Sequence, residues 1–384
     1  MTQIMEGSHA VAEAVRLSKP GVISAYPITP QTHIVERLAE MVADGLLEAD
    51  YITVESEFSA LSACLGASAT GVRVYSATTS QGLALMFEVC FNAAGMRLPL
   101  VMTIANRALS APLSIWNDHQ DSISLRDSGW LQLYAQDCQE AHDLHYIAYR
   151  VAEDHSVLLP AMVCFDGFVL THTYEPVDIP GQEEVDAFLP AFSPYQRLDA
   201  RDPISFGMYA TPDYYMEFRY EMERAMQRAK GVLKECGKEF GERFGRDYSD
   251  LVESYRLEDA DTALVAMGSL CGTVKDAIDE MRGEGKKVGL LNLRVFRPFP
   301  FEDVKKALSG VSRVAILDKN VSIGSKGAVG LEMRDTLYGT GIEILDCIAG
   351  LGGRDIRKRD VRRIVGLAEA GGGDIFYGLR EEVL

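Results

Sequence analysis

Short apolar runs alternate with amphipathic segments along the first 170 residues of the chain. The apolar runs that predict strands are Val22–Tyr26, Tyr51–Val54, Val72–Ala77, Leu98–Ile104 and Leu158–Phe165. The segments with helical periodicity are Pro30–Asp44, Glu57–Ala69, Gly82–Ala94 and Gln139–Val151. Strands separated by helices of about 10–15 residues predict a parallel sheet with helices on both faces.

This rhythm breaks between Thr171 and Ala260, where a segment rich in proline and acid precedes a long helical pattern near Tyr214–Phe240. The alternation then returns. Its predicted strands are Thr262–Met267, Val288–Val295, Arg313–Leu317 and Ile342–Ile348, and its predicted helices are Thr273–Arg282, Phe301–Leu308, Val329–Leu337 and Asp360–Ala368. We therefore predict an α/β protein with three regions: a first domain (1–170), a connector with a long helix that wraps it (171–260), and a smaller α/β domain (261–384).

Composition narrows the class of protein without naming its function. The chain has 384 residues, is 47% hydrophobic and carries a formal net charge of −18. Because phosphate recognition needs a basic face, this charge argues against a nucleic-acid binder. No apolar stretch approaches the roughly 20 residues of a membrane span, and the N-terminus does not resemble a signal peptide. We expect a cytoplasmic protein.

The seven cysteines are scattered and form no C-x-x-C pair, so they do not resemble the ligand runs of iron–sulfur clusters. We expect buried, reduced core thiols. Three glycine-rich segments, Gly324–Gly330, Gly350–Gly353 and Gly371–Gly373, lack the spacing of nucleotide-binding loops. We expect turns and helix caps there.

The segment Tyr26–Thr32 lies between an apolar run and an amphipathic one. That order predicts a strand, a tight turn and a helix, with Thr29 as N-cap and Pro30 at the first helical position. Arg107 follows another apolar run and could bring a forked donor to the same crevice. A hydroxyl, a helix terminus and a guanidinium would together bind a small carboxylate. Alternatively, Thr29 only caps its helix and Arg107 only pairs with a surface acid.

Other polar segments follow predicted strands. Glu57 stands at the start of a helix of small residues, where it could be partly buried or could simply complement the helix dipole. Thr78–Leu83 forms a polar turn at a strand end, which suits either a ligand or a plain cap. Asn117–Asp121 with Arg126–Trp130 could bind metal, move protons or pair with itself. Arg294–Pro300 suits a rigid docking edge.

Seven motifs, through their order and spacing along the chain, resemble those of the α subunit of the 2-oxoacid:ferredoxin oxidoreductases, and most closely those of the pyruvate branch of that family. The motifs are Tyr26–Thr32, Glu55–Glu57, Thr79–Gly82, Asn106–Ala108, Asn117–Asp121 with Arg126–Trp130, Phe165–Phe168 and Arg297–Phe299. The resemblance spans essentially the whole chain. It implies a pyrimidine-type thiamine diphosphate-binding domain, followed by a domain like the C-terminal domain of transketolase.

The resemblance also implies roles for individual residues. Glu57 matches the glutamate that bonds the aminopyrimidine ring of the cofactor, and Thr29 and Arg107 match ligands of the substrate carboxylate. The residues implied to line the cofactor pocket are Ile28, Thr79, Ser80, Gln81 and Gly82. No metal ligand is implied on this chain.

The family's reaction is oxidative decarboxylation of pyruvate to acetyl-CoA and CO2, with electrons passed reversibly to ferredoxin. No Gly-Asp-Gly with a downstream Asn is present, and Phe165–Phe168 is the nearest approach to that Mg²⁺ and diphosphate motif. The resemblance therefore implies a β subunit with the diphosphate and Mg²⁺ half-site and a [4Fe-4S] cluster, together with γ and δ subunits and coenzyme A. Two alternatives stay open: the same class of enzyme acting on a branched-chain or other 2-oxoacid, and a non-catalytic scaffold subunit.

Overall fold

The computed structural model describes residues 2–384. Up to residue 188 its helices and strands are, in chain order, β1 (Thr2–Glu6), α1 (Gly7–Ser18), β2 (Val22–Ala25), α2 (Thr32–Ala43), β3 (Asp50–Thr53), α3 (Glu57–Ala69), β4 (Val74–Thr78), α4 (Ser80–Leu85), α5 (Phe87–Gly95), β5 (Val101–Asn106), α6 (Gln120–Ser124), β6 (Leu131–Tyr134), α7 (Cys138–Ala152), β7 (Ala161–Asp166), β8 (Tyr174–Asp178) and α8 (Gln182–Phe188). A long irregular segment then leads to the second half of the chain.

The later elements are α9 (Tyr215–Phe244), β9 (Val252–Tyr255), β10 (Thr262–Ala266), α10 (Leu270–Gly283), β11 (Val288–Leu293), β12 (Val295–Arg297), α11 (Phe301–Ala307), β13 (Arg313–Asp318), α12 (Ala328–Thr336), β14 (Glu343–Ile348), α13 (Lys358–Glu369) and β15 (Ile375–Phe376). Two larger sheets and one two-stranded ribbon, made of β1 and β8, organise these elements. The α/β class predicted from the apolar pattern is therefore what the structure shows.

The first sheet has seven strands in the order β12-β6-β7-β5-β4-β2-β3. Its pairings are parallel except for β12, which runs antiparallel to β6. Strands β4, β5 and β7 consist entirely of buried residues, as expected for a parallel sheet covered on both faces. Because the strands are parallel, the loops that follow β2, β4 and β5 emerge at the same edge of the sheet, where ligands of α/β proteins bind.

The second sheet has the order β15-β14-β13-β10-β11-β9 and is parallel except for β9. The two sheets are joined through β12, which belongs by sequence to the second half of the chain. Val295 pairs with Leu133 and Arg297 with Gln132, so β12 lies on the edge of the first sheet. The division into three regions stays a prediction. The β12–β6 pairing shows that a strand from the predicted third region completes the sheet of the predicted first region.

The long helix of the connector runs from Tyr215 to Phe244 and buries one side of its C-terminal half, including Leu233, Cys236 and Phe240. Gly237 allows that side to approach the backbone of Tyr248, because a Cβ at Gly237 would lie 2.1 Å from the Tyr248 carbonyl oxygen.

All seven cysteines are buried and free of disulfides, as expected. Within residues 2–384, no helix combines the length and the apolar character that a membrane crossing requires.

One local prediction is wrong. Helix α2 begins at Thr32 with Gln31 as its N-cap residue, and no side chain caps it, so Thr29 is not an N-cap and Pro30 is not at the first helical position. The Tyr26–Gln31 turn instead continues past Pro30, and its Gln31 side chain donates to the backbone oxygens of Tyr26 and Ala77. The predicted helix Gly82–Ala94 is also divided at Met86 into α4 and α5.

Candidate active site

The carboxyl edge of the first sheet gathers three of the predicted site segments. Ile28 and Thr29 lie in the turn after β2, Thr79–Gly82 follows β4, and Arg107 follows β5. Glu57 begins α3 beside them. The strands are neighbours in the sheet, and this is why residues far apart in sequence meet here.

Glu57 is the first residue of α3, and the preceding Ser56 caps the helix by accepting a hydrogen bond from the Ser59 amide at 3.3 Å. The side chain of Glu57 is turned inward, and the residue is only 7% exposed. It lies against Gly82, where an added Cβ would be 2.7 Å from Glu57 Oε1 and 2.5 Å from Thr78 Oγ1. Gly82 therefore lets these two polar side chains pack closely against the start of α4.

Polar atoms around this space lack partners. Thr78 Oγ1 and Gln81 Nε2 are buried and make no hydrogen bond to any residue in the range 2–384. A buried polar group without a partner costs free energy, so such groups usually indicate a missing ligand or water. The Glu57 carboxyl and the Thr78 hydroxyl meet at Gly82, and the unpartnered Gln81 amide is the next residue in the sequence. Together these groups form a polar cradle whose donors and acceptors match the nitrogen-rich edge of an aminopyrimidine ring.

The turn that carries Gln81 is held rigidly. Thr79 Oγ1 donates to the Ala105 carbonyl oxygen, and Ser80 Oγ donates to the Ala108 carbonyl oxygen at 2.5 Å. Ser80 adopts a φ of +47°, which is costly for a residue with a side chain and is tolerated where the surroundings determine the conformation. These bonds fix β4 and its turn to the segment that carries Arg107.

The guanidinium of Arg107 is buried and has no acidic partner. Its Nη1 donates to the Thr29 carbonyl oxygen at 2.6 Å, its Nη2 to Gln81 Oε1 at 3.1 Å and its Nε to the Ser114 carbonyl oxygen at 3.3 Å. No carboxylate of the described chain lies within ion-pair distance of this guanidinium. Burial lowers the pKa of Arg107 from its usual value. A buried cation held only by neutral oxygens is an available site for an anion.

Thr29 meets Arg107 as the sequence predicted, but through its backbone. Its carbonyl oxygen accepts the Arg107 hydrogen bond, while the residue itself is exposed. Ile28 is half-buried beside it. The structure thus brings together all eight residues named from sequence: Glu57, Arg107, Thr29, Ile28, Thr79, Ser80, Gln81 and Gly82. What they bind stays a prediction.

Sequence reasoning left the role of Asp121 open, and the structure gives it one. Asp121 Oδ2 accepts from the amides of Ser80 and Arg107, each at 3.0 Å, while Oδ1 accepts from Asn106 Nδ2 and the Ser122 amide, each at 2.8 Å. One carboxylate therefore ties the β4 turn to the β5 turn. Burial raises the pKa of Asp121 to about 7, and the four donors oppose that rise. Nothing in the local sequence signals contacts that span 41 residues.

The rest of the Asn117–Asp121 loop faces the second half of the chain. His119 Nε2 lies 2.9 Å from Asp166 Oδ1, and Asp166 Oδ2 accepts from Lys319 Nζ at 3.0 Å and from Ser269 Oγ at 2.5 Å. Although burial opposes ionisation, Lys319 and His119 hold the pKa of Asp166 well below its usual range. The loop and the Phe165–Phe168 motif therefore form a polar junction between the two halves.

The fold and the crevice define a class of α/β protein that has two large sheets, with a candidate ligand site at the carboxyl edge of the first sheet. Family models agree. The model described as pyruvate flavodoxin/ferredoxin oxidoreductase, thiamine diphosphate-binding, matches residues 13–238, and the model of pyruvate:ferredoxin oxidoreductase core domain II matches residues 260–361. The chain belongs to the pyruvate:ferredoxin oxidoreductase family.

Individual relatives sharpen the comparison. Pyruvate synthase subunit PorA of Methanothermobacter thermautotrophicus is 56% identical over 381 residues, which cover 99% of both chains. Ketoisovalerate oxidoreductase subunit VorA of Pyrococcus horikoshii is 50% identical over 94% of this chain and 92% of its own. The family, the enzyme class and the kind of subunit expected from sequence are confirmed.

Solved structures agree on the fold. A 2-oxoglutarate:ferredoxin oxidoreductase from Magnetococcus marinus matches with a TM-score of 0.74 at 20% identity, over 95% of this chain. The chain spans 65% of the length of that structure's chain. A split-gene transketolase matches with a TM-score of 0.55 at 12% identity, over 95% of this chain and 96% of its own. The expected two-domain fold, with its transketolase-like part, is confirmed.

Proposed function

We propose that the chain acts as the α subunit of an assembly that oxidatively decarboxylates pyruvate to acetyl-CoA and CO2 and passes the electrons to ferredoxin, reversibly. One observation carries this proposal. The buried carboxyl of Glu57, the unpartnered Thr78 and Gln81 atoms and the unpaired guanidinium of Arg107 line one crevice. A scaffold subunit would have no need to keep the Thr78 and Gln81 atoms unsatisfied beside a buried carboxyl and a buried guanidinium that forms no ion pair within the described chain.

Thiamine diphosphate fits the inner part of this crevice. Glu57 would hold a proton at a ring nitrogen of the aminopyrimidine, and Gln81 would donate from Nε2. When bound, the cofactor supplies an acidic thiazolium carbon that accommodates negative charge as CO2 leaves. The low-dielectric setting of Glu57 strengthens its hydrogen bond to the ring, because little water competes there.

Arg107 would bind the carboxylate of the 2-oxoacid in the outer part of the crevice. Its Nη1 and Nη2 are already oriented by Thr29 and Gln81, so few rotamers are lost when the anion arrives. The exposed Thr29 side chain would complete this pocket. Because Gln81 contacts Arg107 through Oε1 and offers Nε2 to the cradle, it would couple the two parts of the site.

The remaining chemistry would come from partners. The relatives are named as subunits, so a multi-subunit assembly is expected, and we propose a β subunit that supplies the Mg²⁺ and diphosphate half-site and a [4Fe-4S] cluster. Buried, scattered cysteines support placing the clusters on other chains. Gamma and delta subunits, ferredoxin and coenzyme A complete the proposed assembly, which we place in the cytoplasm.

A branched-chain 2-oxoacid is the second candidate substrate, because a ketoisovalerate oxidoreductase subunit is 50% identical to this chain. A dicarboxylate is less suitable. Arg107 is the buried cation that the crevice offers, and a second carboxylate would need another.

The test is a substrate panel on the purified complex. With coenzyme A and a viologen dye, we expect the highest kcat/KM for pyruvate, a lower value for 2-oxoisovalerate and little turnover of 2-oxoglutarate. Thiamine diphosphate should be present at one equivalent per α chain. A complex that contains no thiamine diphosphate would support the scaffold alternative, and one that prefers 2-oxoisovalerate would reassign the substrate.

A further inference from the structure

A second group of chemically active side chains lies outside this crevice. Glu6, His33 and His172 place one potential ligand atom each within 4.8 Å of one another. Glu6 ends β1, His33 lies in the first turn of α2, and His172 precedes β8. Two imidazoles and a carboxylate from three separate segments form a donor set that divalent transition metals prefer.

The backbone fixes the distance between two of these ligands. Next to Glu6, the Gly7 amide donates to the Thr173 carbonyl oxygen at 3.0 Å, and the Ser8 amide donates to the Thr171 carbonyl oxygen at 3.1 Å. These bonds continue the β1–β8 ribbon, in which Glu6 is opposite Tyr174. Glu6 and His172 therefore meet because of strand pairing rather than side-chain flexibility.

The side chains are already arranged around a common point. Glu6 Oε1 lies 2.6 Å from His33 Nδ1, and the His33 and His172 rings have centroids 4.6 Å apart with a tilt of 41°. Around a zinc ion, donor atoms about 2.0–2.1 Å from the metal lie roughly 3.3 Å apart. Replacing the proton between Glu6 and His33 by a metal ion therefore requires the pair to separate by less than about 1 Å.

His172 has the outer contact that metal-bound histidines usually have. Its Nδ1 lies 2.6 Å from Thr171 Oγ1, and that oxygen also accepts from the Phe168 amide at 2.8 Å. An oxygen bonded to one ring nitrogen fixes the orientation of an imidazole and leaves its other nitrogen for a ligand. This contact therefore fixes the orientation of the His172 ring.

Burial and access also suit a metal. The Glu6 side chain is 8% exposed, and its ion-pair partner is an imidazole, so its charge is poorly compensated without a cation. The His33 side chain is 43% exposed, which gives an ion a path from solvent. Open coordination positions on that side could be filled by water.

We propose that Glu6, His33 and His172 form a binding site for a divalent transition-metal ion of the zinc class, separate from the thiamine site. The ion would fasten the β1–β8 ribbon to the first turn of α2. It would bind through two nitrogens and one carboxylate oxygen, with Thr171 orienting His172. This metal would be additional to any Mg²⁺ or iron–sulfur cluster of partner subunits.

The test uses the whole purified complex, stripped of loosely bound metal and dialysed against zinc at increasing concentration, with metal counted by mass spectrometry. The wild-type complex should bind one more zinc ion per α chain than the His33→Ala or Glu6→Gln complexes. His155→Ala removes an exposed histidine elsewhere and serves as the control, with zinc uptake equal to the wild type. Equal zinc uptake by all four complexes would overturn the proposal.

Thr171→Val provides a second measurement that does not remove a ligand. Loss of the outer contact should weaken zinc binding about 10- to 100-fold while leaving the number of sites unchanged. Unaltered affinity in this variant would contradict the assigned role of Thr171. Because His33 is half-exposed, His33→Ala is expected to fold, which keeps the first measurement decisive.

Discussion

The two sheets present helix N-termini at their carboxyl edges in the same way, yet they use them differently. In the first sheet, α3 and α4 begin at a crevice where Thr78 and Gln81 retain unpartnered atoms. In the second sheet, α12 begins after the glycine-rich segment that follows β13. Both positions have the geometry that attracts anions.

The second position is filled by the chain's own carboxylates. Asp318 Oδ2 accepts from the amides of Val329 at 2.8 Å and Gly330 at 3.1 Å, and Asp346 Oδ2 accepts from the Gly327 amide at 3.0 Å. Burial and the nearby Asp346 raise the pKa of Asp318 well above its usual value. A Cβ at Gly327 would lie 2.1 Å from Asp318 Oδ2, so the glycine serves this packing rather than a nucleotide.

The comparison teaches that an α/β fold offers a ligand site where polar side chains beside its helix termini are left without partners. In the second half, the acids close the terminus and make it structural. In the first half, Asp121 satisfies backbone amides behind the crevice and leaves the front free. Function therefore depends on which groups are left unsatisfied, and not on the fold itself.

The largest effect is expected at Glu57, the buried acid of the crevice, which accepts no hydrogen bond from a backbone amide within residues 2–384. Glu57→Gln should slow proton exchange at the C2 atom of bound thiamine diphosphate by about 10²–10⁴-fold, because the amide cannot hold and release the ring proton. Exchange can be followed by NMR after quenching the complex in heavy water. Assembly should be intact, and an unchanged exchange rate would remove Glu57 from its assigned role.

Arg107→Ala should raise KM for pyruvate and cost about 2–5 kcal/mol in kcat/KM, because a desolvated ion pair with the substrate is lost. Steady-state kinetics of the complex measure this. Arg362→Ala, which removes an exposed ion pair of the second half with Glu280 and Glu284, is the control and should change kcat/KM by less than about 0.5 kcal/mol. An equally small effect of Arg107→Ala would place it outside the pocket.

Acid should weaken the first half through its histidines, since all seven lie before residue 173. Burial lowers the pKa of His145 to about 4, and the ring contacts Thr103 Oγ1 and the Ala141 carbonyl oxygen, each at 2.6 Å. A base with a depressed folded pKa contributes stability above its unfolded pKa. That contribution, about 3 kcal/mol, is lost as the pH falls from about 6.5 to 4.

Thermal unfolding of the complex as a function of pH checks this expectation. His145→Gln cannot titrate, so its melting temperature should fall less steeply between pH 6.5 and 4 than that of the wild type. Parallel curves for the two proteins would show that His145 does not contribute to the acid sensitivity.

The smallest effects are expected at Asp121 and Asp318, the two acids that accept hydrogen bonds from backbone amides. Asp121→Asn should cost about 1–3 kcal/mol in folding stability, since two of its four donors then face an amide nitrogen, and it should also lower kcat/KM by loosening the Ser80 and Arg107 turns. Asp318→Asn should cost a similar stability and leave kcat/KM unchanged. Equal losses of kcat/KM in the two variants would contradict the claim that the first sheet carries the ligand site and that the acids of the second sheet are only structural.

Much of this could be predicted from local pattern. Most strands and helices of the two sheets follow from periodicity, although β6 and α1 were not predicted. Glu57, Arg107 and Thr79–Gly82 follow from polar residues placed after strands. The N-cap prediction for Thr29 was wrong because Gln31, bonded to Tyr26 and Ala77, stabilises a longer turn. Asp121 was left without a role because its donors come from tertiary neighbours that no local pattern encodes.

The short strand β12 was also not separated from β11 in the sequence, because Val288–Val295 is a continuous apolar run. Only the pairing of Val295 with Leu133 shows that the chain changes sheets after Leu293. Strand exchange of this kind depends on the position of the partner edge, which composition does not reveal.

That exchange has a practical consequence for anyone who would express the first half alone. By pairing with β6, Val295–Arg297 supplies the outermost strand of a sheet to which it does not belong in chain order. A polypeptide ending before Val295 would leave the amide and carbonyl groups of Leu131–Tyr134 without that neighbour, and exposed strand edges of this kind recruit other chains. Truncation before Val295 is therefore expected to cause self-association, so the first sheet needs a strand from the second half of the chain to cover its edge.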